Sequence, residues 1–241
     1  MSDTLETLRQ HALNLWQDHG LLGERVRVKA RPLTPEEAIG NPEADDFPLQ
    51  KGKERLIQAE FKGSLGQAFT DLYGDFEGSL EEVTNMAAKN SFRRAVFVAA
   101  LNAVLRRLGL VEKTIHCKDR GPDRCAQELT GHLQERFGPV KIVQVGFQPR
   151  MVESLAQEFS LRVLDLDPDN IGLKRFGVMI EGPEAAAEAI AWADLLFVTG
   201  TILVNDTVDR FLNQKPVLFY GTTIAGAARL MGWERFCACG E

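Results

Sequence analysis

The sequence predicts an α/β protein in which a smaller α+β unit precedes a mostly parallel sheet. In the second half, short apolar runs alternate with helical patterns, and this alternation is typical of parallel strands covered on both faces. Each run also ends in a loop of small or polar residues. The four predicted strands are Val140–Val145, Leu161–Leu164, Asp194–Val198 and Pro216–Tyr220.

The first half places its strands before a long apolar helix. Apolar residues at helical spacing from Leu5 to Trp16 predict an opening helix, which Gly20 ends. Valines that alternate with charged residues over 25–29 predict a half-exposed strand, and Leu56–Phe61 predicts a second one. The segment 31–53 is rich in proline and acidic residues and predicts a long loop.

The middle of the chain predicts a turn and three helices. The turn is expected at 63–66, and the pair Ser79 and Glu82 predicts a capping box that starts a short helix. The apolar segment Phe92–Leu108 predicts a helix that packs on the first-half strands or between the two halves. A helix over Asp123–Phe137 then leads into the second sheet, so we expect domains at 1–110 and 111–241.

Composition restricts the classes of function. A net charge of −6 argues against a nucleic-acid-binding surface and an anionic membrane surface. No apolar run is long enough to span a bilayer. The start of the chain is acidic and lacks the basic and apolar regions of a signal peptide. We therefore expect a cytoplasmic protein with four reduced cysteines and no nucleic-acid or membrane partner.

The predicted strand ends indicate where a ligand would bind, because open α/β sheets bind ligands at the carboxyl ends of their strands. Gly146 and Phe147 follow the first strand without the full Gly-x-Gly-x-x-Gly pattern, which argues against a dinucleotide cradle. A ligand close to the Gly146 backbone and a plain turn both explain the glycine. Asp165 suits an acceptor for ribose hydroxyls, whereas Asp167 is better explained as a turn residue.

Hydroxyl and amide side chains follow the third strand. Thr199, Gly200 and Thr201, with Asn205, suit a phosphate, a carboxylate or a heteroaromatic edge. The alternative for Asn205, or for its neighbour Asp206, is to cap a helix over 208–212. The segment 221–223 is a second helix start that is compatible with an anion, and a plain turn explains it equally well.

Histidine and cysteine side chains form a candidate metal site. His116, Cys117 and Cys125 lie within ten residues, and Cys237 and Cys239 form a Cys-x-Cys near the end of the chain. Thiolates and imidazole are good ligands for soft metals. Neither spacing is the Cys-x-x-Cys of structural zinc sites, so spacing alone favours reduced cysteines without a metal.

Two features of the first half could contribute to a cleft. Lys62, Thr70 and Asp71 surround a glycine-containing segment that could close over the second half, or that is only a solvated hairpin. Asn102 is polar in an otherwise apolar helix and needs a hydrogen-bond partner if it is buried. Packing between the halves would explain Asn102 without a catalytic role.

Several of these segments together resemble the putative heavy-metal-chelation family of prokaryotic proteins. The resemblance covers nearly the whole chain, and the order and spacing of the motifs fit best in the second half. The motifs are Gly66–Asp71, Ala100–Val104, His116-Cys117 with Cys125, Val145–Phe147 with Pro149, Val163–Asp167 and Val198–Thr201 with Val204-Asn205.

The resemblance implies an enolase N-terminal-like first domain, a Rossmann-like second domain and a site between them. It implies catalytic roles for Asp71, Thr70 and Asn102, of which Asp71 is the expected acid or base. It implies metal ligation by His116, Cys117 and Cys125, with a divalent metal ion as the candidate cofactor. It also implies a ligand-binding set consisting of Gly146, Phe147, Asp165, Thr199, Gly200, Thr201 and Asn205.

The sequence leaves three functions open, and it does not decide whether the protein is an enzyme. The first is binding of a small metallophore-like or heteroaromatic metabolite in the cleft, with or without its condensation or hydrolysis. The second is a soft-metal carrier without catalysis. The third is an S-adenosylmethionine-dependent transferase, against which the first loop lacks a glycine-rich pattern. A homodimer that uses the apolar helix is a further alternative.

Overall fold

Two β-sheets organise the chain in the computed structural model, which describes residues 1–28 and 54–241. Within these residues, one sheet has four antiparallel strands and the other has seven strands, most of them parallel. The predicted fold class is confirmed: an α+β first half precedes a parallel-rich α/β second half. The loop predicted over 31–53 lies outside the described residues.

The first half supplies the antiparallel sheet and the helices that pack on it. Its strands lie in the order β3-β2-β1-β4. Apolar residues on one side of α1 and on alternate positions of β1 face the core, as the predicted patterns require. The elements are α1 (Asp3–Asp18), β1 (Arg25–Val28), β2 (Arg55–Phe61), β3 (Ser64–Thr70), β4 (Phe76–Ser79), α2 (Leu80–Asn85) and α3 (Ser91–Arg107).

The turn between β2 and β3 is shorter than the sequence predicted. Lys62 and Gly63 both have positive φ, at 47° and 81°, and form a two-residue hairpin turn. The strand therefore resumes at Ser64, and Gly66 lies inside it rather than in the turn. A Cβ on Gly66 would collide with the Ala103 amide nitrogen, so the glycine lets β3 lie directly against α3.

Helix α3 lies between the two halves and is apolar around nearly its whole circumference. It contacts β2 and β3 on the first-half side and two short helices of the second half, Thr201–Val204 and Ala225–Met231. A helix that is hydrophobic all round must be buried, which explains the sequence of this segment. The helix therefore packs on the first-half strands and also lies between the two halves, as both predicted placements had it.

The second half contains the parallel-rich sheet and its covering helices. Two turns of 3₁₀ helix, Pro183–Ala185 and Val208–Arg210, lie among them. The elements are α4 (Gly121–Phe137), β5 (Lys141–Val145), α5 (Pro149–Glu158), β6 (Ser160–Leu164), β7 (Lys174–Arg175), β8 (Val178–Glu181), α6 (Ala186–Trp192), β9 (Leu195–Thr199), α7 (Thr201–Val204), β10 (Val217–Tyr220), α8 (Ala225–Met231) and β11 (Arg235–Phe236).

The strand order places a topological switch point beside β5. That strand is central, with β6 and β8 on one side and β9, β10 and β11 on the other. The chain therefore changes direction across the sheet between β5 and β9, and open α/β sheets bind ligands at such a switch point. Strand β7 adds a short antiparallel edge that the sequence analysis did not predict.

The prediction of a helix over 208–212 with its cap at Asn205 or Asp206 is wrong. Val208–Arg210 is a single 3₁₀ turn without a side-chain cap, and Asn205 instead ends α7. The Asp206 carboxylate accepts a hydrogen bond from the Ser2 backbone N–H at 2.7 Å, which links this loop to the start of α1. Its φ of 59° also places Asp206 in a left-handed conformation that is unsuited to an N-cap.

One hydrophobic core joins the two halves. It extends from α1 and the first sheet through α3 to β5, β9 and α7. The predicted domain boundary between residues 110 and 111 stays a prediction. A search of the described residues finds no helix with the length and apolarity that a transmembrane span requires.

Replacing Asn102 by leucine is expected to lower the free energy of unfolding by about 3 kcal/mol, because four buried backbone groups lose their partner. The Asn102 amide donates to the carbonyl oxygens of Gln67, Thr222 and Thr223 and accepts from the Gly226 N–H at 2.7 Å. Urea denaturation measures the change. Asn14→Leu, on the exposed face of α1, is the matched control and should change stability by less than about 0.5 kcal/mol. Equal stability losses in the two variants would contradict the prediction.

Candidate functional site

A cavity of about 440 Å³ lies at the carboxyl ends of β5, β6, β9 and β10, where the end of β3 approaches them. Both halves of the chain line it. Twelve of the thirteen predicted site residues lie on its wall, and Asn102 is the exception. The volume falls within the range of small-molecule pockets.

The loop after β5 is held in a conformation that requires glycine. Gly146 has a φ of 90°, and a Cβ there would lie 2.8 Å from Thr199 Cγ2 and 3.0 Å from the Tyr220 hydroxyl oxygen. The Tyr220 hydroxyl lies 3.0 and 2.9 Å from the carbonyl oxygens of Val145 and Gly146. The loop geometry alone therefore explains this glycine.

The Asp165 carboxylate holds two loops together. It accepts hydrogen bonds from the backbone N–H of Phe147 at 2.6 Å and of Asp167 at 2.7 Å. A carboxylate has about four lone-pair positions, so two such bonds leave room for a ligand. Asp165 thus holds the backbone of Phe147 at the cavity wall and keeps acceptor capacity for a further partner.

The loop after β9 is built from small residues because α8 begins against it. A Cβ on Gly200 would lie 2.5 Å from the Ile224 backbone nitrogen. The Thr201 hydroxyl lies 3.3 Å from the Thr199 hydroxyl, and both residues line the cavity. Packing explains the glycine, whereas it does not account for the two hydroxyls beside it.

The first half contributes Thr70 and Asp71 at the end of β3. The Thr70 hydroxyl donates to the Leu72 carbonyl oxygen at 2.7 Å and accepts from the Leu72 N–H, so it stabilises its own turn. This local pairing does not support the predicted catalytic role of Thr70. Asp71 is exposed and accepts a hydrogen bond from the Ser91 hydroxyl, which orients the carboxylate at the cavity.

Glu54 belongs to the site and was missed by the sequence analysis. It precedes β2, and since Arg55 pairs with Thr70 in the hairpin, Glu54 lies next to Asp71. Burial, and after it the nearby carboxylates of Asp165, Asp167 and Asp71, raise the pKa of Glu54 to about 7. The hairpin register was the signal that could have revealed this residue.

Asn102 does not line this cavity. Its side chain is fully buried in α3, and its amide is engaged by backbone groups of β3, the loop after β10 and α8. This position does not support the catalytic role predicted for Asn102, because its amide is buried and hydrogen-bonded to the backbone; the role stays a prediction. Its role is to join the halves.

Sulfur and imidazole side chains line another part of the cavity. His116 Nδ1 lies 2.7 Å from the Cys117 carbonyl oxygen, an arrangement in which Nδ1–H donates and Nε2 keeps its lone pair. Burial lowers the pKa of His116, so its ring is neutral at pH 7. Cys117, Cys125 and Cys237 line the cavity beside it.

The thiols of Cys117 and Cys125 are protonated at neutral pH, and the cavity cysteines are not assembled as a metal site. Burial raises the pKa of Cys125 to about 11 and that of Cys117 further above its ordinary value. Among residues 1–28 and 54–241, no group of three or more His, Cys, Asp and Glu side chains is placed to hold a metal ion. The predicted trio of His116, Cys117 and Cys125 therefore lies at the cavity without forming a ligand cage.

Comparisons with solved structures find the same fold in two proteins of unknown function from the DUF364 family. The protein from Pyrococcus horikoshii is 18% identical, with a TM-score of 0.55 over 91% of this chain and 79% of its own. The protein from Desulfitobacterium hafniense DCB-2 is 15% identical, with a TM-score of 0.51 over 73% of this chain and 72% of its own. These identities support a shared fold and nothing more specific.

A comparison of sequence agrees with the comparison of fold. No curated protein matches the chain. The sequence model of DUF364, described as putative heavy-metal chelation, matches residues 128–223, a range that contains the loops after β5, β6 and β9. This match, with the two structures, confirms the resemblance of the chain to the putative heavy-metal chelation family that its motifs predicted.

Proposed function

We propose that the protein binds a small planar metabolite, heteroaromatic or metallophore-like, in the cavity between the two halves. The observation that carries the proposal is a cavity of about 440 Å³ whose wall, among the described residues, combines aromatic rings, that of Phe147 included, with carboxylates, hydroxyls and an amide. Specific pockets are typically apolar with a few converging polar groups. A planar ligand with a polar edge matches that composition.

Different residues of the cavity wall would contact the ring and the polar edge of the ligand. Phe147 stacks on the ligand ring, because the Asp165 carboxylate holds its backbone at the cavity wall. The free lone pairs of Asp165 and the hydroxyls of Thr199 and Thr201 bind the polar edge. Asn205 contributes an amide at the end of α7. For condensation or hydrolysis, Asp71 is the candidate acid or base, with Glu54 as the neighbouring carboxylate.

Phe147→Leu is expected to weaken binding of 8-hydroxyquinoline, a planar heteroaromatic chelator, about fivefold, because an aromatic pair contributes roughly 0.5–1.5 kcal/mol. Leucine keeps the packing of this side chain on Val152, Val163 and Ile180, so the fold should be unchanged. Calorimetric titration measures the affinity. Phe159→Leu, at the residue that follows α5 and does not line the cavity, is the matched control and should bind like the parent protein. Equal affinities in all three proteins would overturn the stacking role.

Asp165→Ala is a poor test of ligand binding, because it also removes the acceptor of two backbone N–H groups. Thr199→Val is cleaner. Its hydroxyl lies 3.3 and 3.4 Å from the hydroxyl oxygen and the N–H of Thr201 and also contacts the Tyr220 hydroxyl, and valine keeps its shape. A loss of affinity in Thr199→Val at unchanged stability can therefore be assigned to the ligand rather than to the loop.

Capture of a soft metal ion is the second candidate, and a specific observation favours it. The neutral His116 ring keeps an Nε2 lone pair, and Cys117, Cys125 and Cys237 line the same cavity. A metal-ligating histidine usually donates its other ring N–H to a carbonyl or carboxylate, as His116 does here. Since the donors are not assembled among the described residues, a metal would have to draw the thiols together.

Cd²⁺ is expected to bind with an affinity that rises steadily from pH 6 to pH 9. The pKa of Cys125 is about 11, so its proton must be displaced by the metal over this whole range. Titration followed by the sulfur-to-cadmium absorbance measures it. His116→Ala and Cys117→Ser should each weaken binding, while His19→Ala, at the exposed end of α1, should not. Absence of the absorbance in the parent protein would exclude this candidate.

A further inference from the structure

We propose that the ligand of this cavity carries a cationic or donor-rich nitrogen group, such as a protonated amine, an amidine or an amino-heterocycle. Four carboxylates, those of Glu54, Asp71, Asp165 and Asp167, would hold it; we name them the acidic wall. The inference rests on the proposed function, since it assigns a chemical class to the ligand of the same cavity. Neither the family description nor the comparisons suggest a charge for the ligand.

The acidic wall is assembled by two separate parts of the fold. Glu54 and Asp71 stand side by side at the open end of the β2–β3 hairpin, because Arg55 pairs with Thr70. Asp165 and Asp167 follow β6 in the second sheet. All four residues line the cavity, and the three aspartates are close enough to raise the pKa of Glu54. A group bound there would touch both halves of the protein.

Among the described residues, the cavity lining offers little positive charge to balance these carboxylates. Arg210 is the one lysine or arginine among the described residues that line it, and it is exposed. The His116 ring beside the thiols is neutral at pH 7. Backbone N–H groups compensate the wall only in part: Asp165 accepts two of them, and Asp167 accepts one from Asp169 at 3.0 Å. This balance disfavours a phosphate or carboxylate ligand and favours a cation.

An orphaned hydroxyl provides a second, independent indication of a polar ligand. Thr222 lines the cavity and is 1% exposed, and its Oγ1 has no hydrogen-bond partner within the described residues. Buried hydroxyls are nearly always hydrogen-bonded, so an unpaired one at a cavity wall points to a partner that the ligand supplies. An N–H donor group satisfies the oxygen of Thr222 as well as the acidic wall.

Three probes of nearly equal shape and different charge test the proposal: benzamidine as the cation, benzamide as the neutral amide and benzoate as the anion. We expect benzamidine to bind the intact protein at least tenfold more tightly than benzamide, and benzoate to bind most weakly. Protein-observed NMR titration gives the affinities and shows whether the shifts map to Phe147 and its neighbours. Benzoate binding as tightly as benzamidine would overturn the proposal.

Variants connect the preference to the acidic wall. Glu54→Gln and Asp167→Asn should each reduce the advantage of benzamidine over benzamide severalfold. Asparagine keeps an acceptor for the Asp169 N–H, so the turn should survive in Asp167→Asn. Glu135→Gln, on the exposed face of α4, removes one charge far from the cavity and should leave the ratio unchanged. A ratio that falls equally in all three variants would assign the preference to net charge and overturn the proposal.

Two outcomes of these titrations distinguish a wrong charge of the ligand from a wrong binding site. Binding of benzamide or benzoate at Phe147, without a preference for benzamidine, would preserve the aromatic pocket and remove only the cationic group. Absence of binding by every probe at millimolar concentration would remove both.

Benzamidine affinity is also expected to rise about tenfold from pH 6 to pH 8, because the pKa of Glu54 is about 7. Below that value the carboxyl is largely protonated and neutral, and above it the ionised form attracts the amidinium. Asp71, Asp165, Asp167 and Tyr220 are the other titratable groups near Glu54, with Arg210 as the lining cation. Glu54→Gln should make the affinity nearly independent of pH over this range. A rise that persists in Glu54→Gln would assign it to another group.

Discussion

The hydrogen bonds of one buried amide, that of Asn102, fix how the two halves of the protein meet. The amide nitrogen reaches backbone carbonyls on β3 and in the loop after β10, while the amide oxygen accepts from the first turn of α8. Gly66 and Gly226 provide the space, since a Cβ at either position would collide with α3. Because buried backbone groups must be paired, shifting either sheet along the helix would leave several of them unsatisfied. The hydrogen bonds of Asn102 therefore also determine how the residues of the two halves are arranged around the cavity.

The cavity that results has two chemically different sides. Carboxylates gather where the hairpin meets the loop after β6, and sulfur and imidazole gather where the segment around His116 meets the last strand. Hard cations and protonated nitrogen prefer the first set, and soft metals prefer the second. A ligand that carries both a basic nitrogen and a metal-coordinating ring would contact both sides. The two candidate functions therefore describe adjoining parts of one site, and they do not exclude each other.

The sequence predicted much of this arrangement because local patterns determine most of it. Apolar runs and the residues that follow them located four strands and the loops that carry Gly146, Asp165 and Thr199 at the cavity. The enolase-like and Rossmann-like assignments came from the resemblance, and the domain boundary stays a prediction. What local patterns could not supply was long-range pairing. The register of β2 on β3 depends on the two-residue turn at Lys62 and Gly63. With the turn predicted at 63–66, the pairing that places Glu54 beside Asp71 could not be inferred. The contacts of Asn102 were not predictable for a related reason, since its four partners lie far away in sequence.

The β2–β3 hairpin has a consequence for how this protein can change over evolution. The ladder runs without a bulge from Phe61 and Ser64 at the turn to Arg55 and Thr70 at the cavity. Side chains alternate between the faces of a strand, so inserting or deleting one residue in either strand would reverse its faces or separate Glu54 from Asp71. Substitutions along the exposed face leave the pairing intact. We therefore expect chains that keep this pair of acids to vary in the composition of the hairpin and to hold its length constant.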